Sequence, residues 1–285
     1  MNVTISNSFL SAQINSKGAE LFSLQNKKNK HEFIWEGDPK HWGKHSPILF
    51  PIVGTLKNNS YLYKNKEYKL SRHGFARDQE FELIQSSENQ VVFYLKSSNQ
   101  TKKIYPFEFE LHLTYTLIEN KLELKYSIIN KDNVTIPFSI GAHPAFALPN
   151  NFENYALKFE EQETINCYTL EKDLVSDTKF EINLKEKKLP LQYATFENDA
   201  IIIKELRSKE ITLLNENKPT LKVNFKDFDN LGIWTKVGAP FICIEPWLGY
   251  SDTIHTNGNI IEKEGIQIVT ENEKFECQFS IEILN

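Results

Sequence analysis

The sequence predicts an all-β protein built from antiparallel sheets packed face to face, and three observations carry that prediction. Apolar and polar residues alternate with a period of two over long stretches, and no stretch holds helical periodicity between caps. Aromatic residues reach 12%, with 20 phenylalanines, a composition that suits face-to-face sheet packing. A chain of 285 residues can bury a large core, and all-β proteins of this size are commonly one domain, so residues 1–285 are read as a single domain. In chain order, Phe107, Phe109, Leu111, Leu113, Tyr115 and Leu117 alternate with Glu108, Glu110, His112, Thr114 and Thr116, which gives a half-buried strand. After the turn-like Glu119-Asn120, Leu122, Leu124, Tyr126 and Ile128 mark its hairpin partner across residues 121–130. Residues 171–188 are polar and read as a long loop or a hairpin excursion, not as a domain boundary. Residues 241–245 read as a strand that sends Ile242 and Ile244 to one face and Phe241, Cys243 and Glu245 to the other. Phe275, Cys277, Phe279, Ile281 and Ile283 mark a closing strand. No repeat of the 20-to-50-residue kind is present to signal a propeller or solenoid.

Composition excludes several classes of partner. The net charge of −5 and the scattered lysines leave no basic stripe for nucleic acid. No apolar run approaches the length needed to span a bilayer, and the N-terminal residues lack a basic segment followed by an apolar one, so a membrane partner and a secretory leader are not expected. Cys167, Cys243 and Cys277 lie far apart with no CxxC spacing or neighbouring His, so neither a zinc site nor a disulfide framework is indicated, and a reducing cytoplasm is the expected location. The sequence sets no oligomeric state.

Chemistry concentrates in three segments. Phe241-Ile-Cys-Ile-Glu-Pro-Trp-Leu-Gly-Tyr-Ser-Asp252 fixes Glu245 after an apolar run, with Pro246 holding it extended and the Trp247 indole beside it. An acid, an indole and a turn at Gly249 and Asp252 suit the floor of a carbohydrate site, where aromatics meet sugar C–H faces and carboxylates meet hydroxyls. The same residues also suit an edge acid capping a turn beside a core Trp. Ser71-Arg-His-Gly-Phe-Ala-Arg-Asp78 and Pro137-Phe-Ser-Ile-Gly-Ala-His-Pro-Ala-Phe146 each set one His, His73 and His143, against a structure-breaking Gly or Pro. Either His alone is more often structural than functional.

Together with Ser46-Pro-Ile-Leu-Phe-Pro-Ile-Val-Gly54, Pro106-Phe-Glu-Phe-Glu-Leu111, Asp199-Ala200 and Gly232-Ile-Trp234, these segments resemble, in this order and along almost the whole chain, the aldose 1-epimerases or galactose mutarotase-like proteins, and among them the LacX-type branch. The resemblance implies one large antiparallel β-sandwich of the galactose mutarotase-like, or supersandwich, type, with an open sugar cleft on one sheet. It also implies catalysis with no metal and no organic cofactor. By position, Glu245 matches the family's general base, His143 its general acid, and His73 the second histidine that holds and polarises sugar oxygens.

Interconverting α and β anomers requires taking the proton from the anomeric hydroxyl and protonating the ring oxygen, so that the ring opens to an aldehyde, rotates and recloses. A base and an acid are expected on opposite sides of the ring, both working near neutral pH. Arg72 and Arg77 flank His73 and suit sugar hydroxyls or a phosphate, with Arg77 the better ligand candidate and Arg72 turned to solvent or an acidic neighbour. Trp42 and Trp247 are the expected stacking residues, while Trp35 and Trp234 read as core. The family's sugar-binding aspartate has no clear match; Asp227, Asp229 and Asp252 are candidates, with Asp252 nearest the Glu245 motif. Thr55 stands where LacX-type relatives commonly carry Arg, and Lys263 reads as structural or rim. The expected activity is an aldose 1-epimerase acting on a hexose. A hexose-6-phosphate 1-epimerase and a non-catalytic sugar-binding protein are the alternatives.

Overall fold

A computed structural model of the chain describes residues 1–284. Strands dominate it, and helix is confined to short 3-10 turns. The larger sheet has nine strands, ordered Lys188–Pro190, Tyr155–Phe159, Glu210–Asn215, Lys218–Asn224, Lys274–Ile283, Lys121–Asn130, Phe109–Ile118, Gln90–Lys96 and Glu82–Ser86. The other large sheet has eight. Along its path lie Leu174–Asn183, Thr164–Glu171, Ile201–Ile203, Asn230–Trp234, Phe241–Leu248, Ile140–Ala142 and Ile48–Leu49, and Ala145–Ala147 also pairs with Phe241–Leu248.

The core lies where the two sheets face each other. Leu111, Leu113 and Tyr115 from the nine-stranded sheet join Leu231, Ile233, Ile242 and Ile244 from the eight-stranded one in a single buried cluster. The hairpin expected across Glu119-Asn120 forms in register, Ile118 opposite Lys121 and Phe109 opposite Asn130. The closing strand, Lys274–Ile283, pairs along the length of Lys121–Asn130.

Residues 171–188 form the hairpin excursion rather than a loop. Thr164–Glu171 pairs with Leu174–Asn183, and Lys172 and Asp173 at its tip both have positive φ, as a two-residue turn requires. Leu174–Asn183 is an edge strand, exposed over most of its outer half, which is why its residues are polar on both faces.

The strand that matters most for the site is Phe241–Leu248, in the middle of the eight-stranded sheet and buried throughout. Its alternation follows the sequence reading. Ile242 and Ile244 enter the main core, while Phe241 and Cys243 pack on the opposite face with Trp35, Trp42 and Trp234. Pro246 does not end this strand, which continues to Leu248 with Pro246 opposite Leu231.

Candidate active site

Sheet register brings His143 to Glu245. Ile140–Ala142 pairs with one end of the Phe241–Leu248 strand, Gly141 opposite Trp247, and Ala145–Ala147 pairs with the other end, Ala145 opposite Cys243. The two pairings are in phase, so the His143-Pro144 break between them falls beside Glu245. Pro144 has no N–H to give to a ladder, which explains why pairing lapses there and resumes two residues later. Residues opposite one another in an antiparallel pair share a face. His143 Nε2 accordingly lies 3.3 Å from Glu245 Oε2.

His73 arrives from a loop. Its backbone sits in the left-handed region, and it is locked to Gly54 twice: its N–H donates to the Gly54 carbonyl at 2.8 Å, and its Nδ1 accepts from the Gly54 N–H at 3.1 Å. With Nδ1 accepting, a neutral ring carries its proton on Nε2. The His73 and His143 rings meet edge-on with centroids 5.8 Å apart.

These groups lie at the base of a cleft of about 650 Å³ lined by Trp42, Arg72, His73, Arg77, Asp199, Trp234, Lys236, Glu245 and Trp247, among others. His143 is not itself on the lining, because the Trp42 indole stacks on its ring at 4.7 Å. Trp42 is held there by its own N–H donating to Asp38 and by its carbonyl accepting from Trp35 Nε1. Trp234 was expected in the core and is instead half-buried on the cleft wall, edge-on to both Trp42 and His143. Trp35 is buried as expected.

Trp247 lies flat on the sheet because both neighbouring strands present glycine beneath it. A Cβ on Gly232 would stand 2.5 Å from the far edge of the indole, and one on Gly141 2.6 Å from its near edge. Its Nε1 lies near Glu245 without reaching hydrogen-bond geometry.

Arg72 is turned to acidic neighbours, 3.4 Å from Asp173 at the hairpin tip and 3.6 Å from Asp199. Arg77 donates to the Arg72 carbonyl at 2.8 Å, and its buried Nε makes no hydrogen bond but faces the Asp78 carboxylate at 3.8 Å. The aspartate at the cleft is Asp199, which sequence reasoning quoted only as a family marker. Its backbone has a positive φ, 83°, in a turn after Phe196, a conformation that turns the side chain where regular structure would not and leaves no mark in the sequence. Asp252, by contrast, is 3% exposed and lies apart from the lining, with its carboxylate 3.2 Å from the buried Lys263 ammonium and accepting from the Lys57 N–H. Lys263 also donates to the Tyr250 carbonyl at 2.6 Å, so this pair fixes the turn that follows the Glu245 strand. Asp227 accepts from the Gln278 N–H and Asp229 faces Lys209, both away from the lining. Thr55 is buried behind the cleft, its N–H on Ser251 Oγ.

Two expectations need correction. Glu245 and His143, expected as base and acid on opposite sides of a sugar ring, have no ring-sized space between them, His143 Nε2 and Glu245 Oε2 being 3.3 Å apart. Cys243 is also not remote from histidine: Cys243, His143 and Glu245 place one ligand-type atom each within 4.8 Å of one another. His143 comes from about a hundred residues away in sequence, so spacing could not reveal it.

Burial dominates the electrostatics. Glu245 is 1% exposed, and desolvation pushes its carboxyl well above the usual carboxylate range; Asp199 adds to this, while Arg72 and the nearby Trp247 N–H oppose it. Burial likewise pushes the His143 imidazole down, with Arg72 and Arg77 adding to the effect. His73 is pushed well down by burial, then by His143 and the two arginines. Both shifts favour a neutral Glu245–His143 pair sharing one proton over an ion pair.

Residues 1–266 match the family model described as aldose 1-epimerase. The chain is 35% identical to the plasmid-borne protein LacX of Lactococcus lactis subsp. lactis over the whole of both. Among solved structures, a galactose mutarotase related enzyme from Lactobacillus acidophilus superposes with a TM-score of 0.95 at 33% identity, over 100% of this chain and 98% of that one. A galactose mutarotase-like protein from Lactobacillus casei superposes with a TM-score of 0.93 at 29% identity, over the full length of each. The β-sandwich is thus of the galactose mutarotase-like type, and the chain belongs to the aldose 1-epimerase family.

Proposed function

We propose that this protein interconverts the α and β anomers of a free hexose, with Glu245 as general base and His143 as general acid. The observation that supports it most is the 3.3 Å contact between Glu245 Oε2 and His143 Nε2 at the base of the cleft, with Oε2 buried and that contact outside hydrogen-bond geometry. A buried carboxyl oxygen in that state is short of a donor, and the anomeric hydroxyl is one. Sugar hydroxyls that donate to Glu245 favour its anion and move the shared proton to His143. Glu245 then takes the proton of the C1 hydroxyl while His143 gives its own to the ring oxygen, and the C1–O5 bond opens. Reclosure on the other face reverses both transfers and returns the pair to its starting state, so proton transfers alone complete the cycle.

His73, with its proton on Nε2, donates to a sugar oxygen. Arg77, Arg72 and Asp199 meet hydroxyls, and Trp42, Trp234 and Trp247 meet C–H faces. Asp252 is left out of this set because its carboxylate is occupied by Lys263.

A hexose 6-phosphate is the second reading, favoured by Lys236 joining Arg72 and Arg77 on the lining. Against it, Arg72 is already shared by two aspartates, Arg77 is engaged by a backbone carbonyl, and Lys236 reaches toward the Lys40 carbonyl.

The test is mutarotation of freshly dissolved α-glucose and α-galactose by polarimetry with Glu245→Gln and His143→Asn. Each variant loses about two to four orders of magnitude in rate, the usual contribution of a positioned acid or base, while circular dichroism shows the fold intact. A folded variant with rates within a few-fold of the parent shows the assignment to be wrong.

A further inference from the structure

We propose that Cys243, His143 and Glu245 together bind a thiophilic divalent cation, zinc in the first instance, and that the bound ion shuts off the acid–base pair. The second half of this rests on the mutarotase reading; the first half does not.

The donor set is a thiol, an imidazole and a carboxyl, the three protein ligand types that zinc uses. With bonds of about 2.0 Å to nitrogen and oxygen and about 2.3 Å to sulfur, a tetrahedral zinc holds its ligand atoms roughly 3.2 to 3.7 Å apart. The His143–Glu245 contact is already 3.3 Å, and all three donor atoms lie within 4.8 Å of one another. Register explains the convergence. Cys243 and Glu245 are two apart on one strand and so share its outer face, and the break at His143 falls beside Glu245.

The carboxylate donor is free to bind: Glu245 Oε2 is buried with no hydrogen-bond partner. Sugar hydroxyls are one way to satisfy Oε2, and a cation is another. Three protein ligands leave a fourth position for water on the cleft side, where Glu245 lines the wall. On coordination two protons leave to solvent, that of the Cys243 S–H bond and the one held by the Glu245–His143 pair, and the thiolate, imidazole and carboxylate bind the metal. Neither Cys167 nor Cys277 belongs to such a cluster among the described residues.

The intact protein is titrated with cadmium, followed by the thiolate-to-metal charge-transfer absorption in the ultraviolet, and with zinc, followed by calorimetry and by the mutarotation rate. One equivalent binds, zinc lowers the rate at least tenfold, and EDTA restores it. Cys243→Ser loses the absorption and its rate, whatever its own value, no longer responds to zinc. Cys243→Ala repeats the measurement if the serine variant does not fold, and Cys167→Ser keeps both responses. An active enzyme whose thiols give no charge-transfer band, or a band and inhibition that persist without Cys243, overturns the inference and leaves the mutarotase reading standing. One equivalent bound through Cys243 with undiminished mutarotation confirms the site and overturns its effect, together with the roles assigned to the pair.

Discussion

Glu245 is held by the fold where its charged form is disfavoured. Its carboxyl titrates above the usual carboxylate range when folded and within it when unfolded, so the folded chain binds that proton more tightly. Stability from this group is complete below the unfolded value and declines as pH rises toward the folded one. Near pH 7 the residue therefore weakens the protein, and Glu245→Gln, which abolishes activity, raises the melting temperature in calorimetry. The gain over the parent shrinks as pH is lowered through the carboxylate range. A glutamine variant whose stability relative to the parent does not fall as pH is lowered from 7 contradicts the burial argument. Rate should show the same electrostatics from the other side. The competent pair carries one proton, and with His143 pushed down and Glu245 pushed up that species spans a wide interval. The profile of kcat/KM is then flat through neutrality, with its acid limb below the ordinary imidazole value of about 6.5 and its alkaline limb well above the carboxylate range. An alkaline fall centred near pH 6.5 would be the behaviour of an isolated imidazolium and not of this pair.

At the scale of elements, the site depends on strands that are legible one at a time but not in combination. The period-two runs at 107–117, 121–130 and 275–283 were readable because each buries one face and wets the other. The outward set Phe241, Cys243 and Glu245 was readable from the alternation of side chains along any strand, although this strand is buried on both faces. What pairs with that strand was not readable, because the in-phase register of Gly141 with Trp247 and Ala145 with Cys243 is a long-range fact with no local residue signature. The roles of Trp234 and Asp199 were missed likewise: aromatic periodicity cannot tell a wall from a core, and a single positive φ leaves no pattern. The 171–188 stretch stayed ambiguous because an edge strand has no buried face to set an alternation. Gly232 tests the element account. Its neighbour strand gives Trp247 room to lie flat, and Gly232→Ala puts a methyl where the indole edge now lies. The variant folds, its tryptophan fluorescence changes, and mutarotation falls by about a hundredfold, the scale of a displacement near 1 Å at a reacting centre. An unchanged rate would separate Trp247 from the chemistry.

For the molecule as a whole, two facing sheets supply a rigid floor, and loops around the outer face of the eight-stranded sheet supply the walls. The Lys172-Asp173 hairpin tip reaches Arg72, the loop of residues 38–46 lays Trp42 on His143, and the Asp199 turn closes the circuit. Fold alone does not choose a substrate, so the choice lies in the cleft's charges. The cations there are each engaged by an aspartate or a backbone carbonyl, an arrangement that suits neutral hydroxyls more than a phosphate. The most direct measurement is anomeric exchange by NMR on α-glucose, α-galactose and their 6-phosphates at equal concentration, with uncatalysed exchange subtracted. The account predicts catalysed exchange of at least one free hexose, faster than that of its 6-phosphate and lost in Glu245→Gln. No acceleration of any free hexose, or a 6-phosphate exchanged much faster than every free hexose, would contradict it.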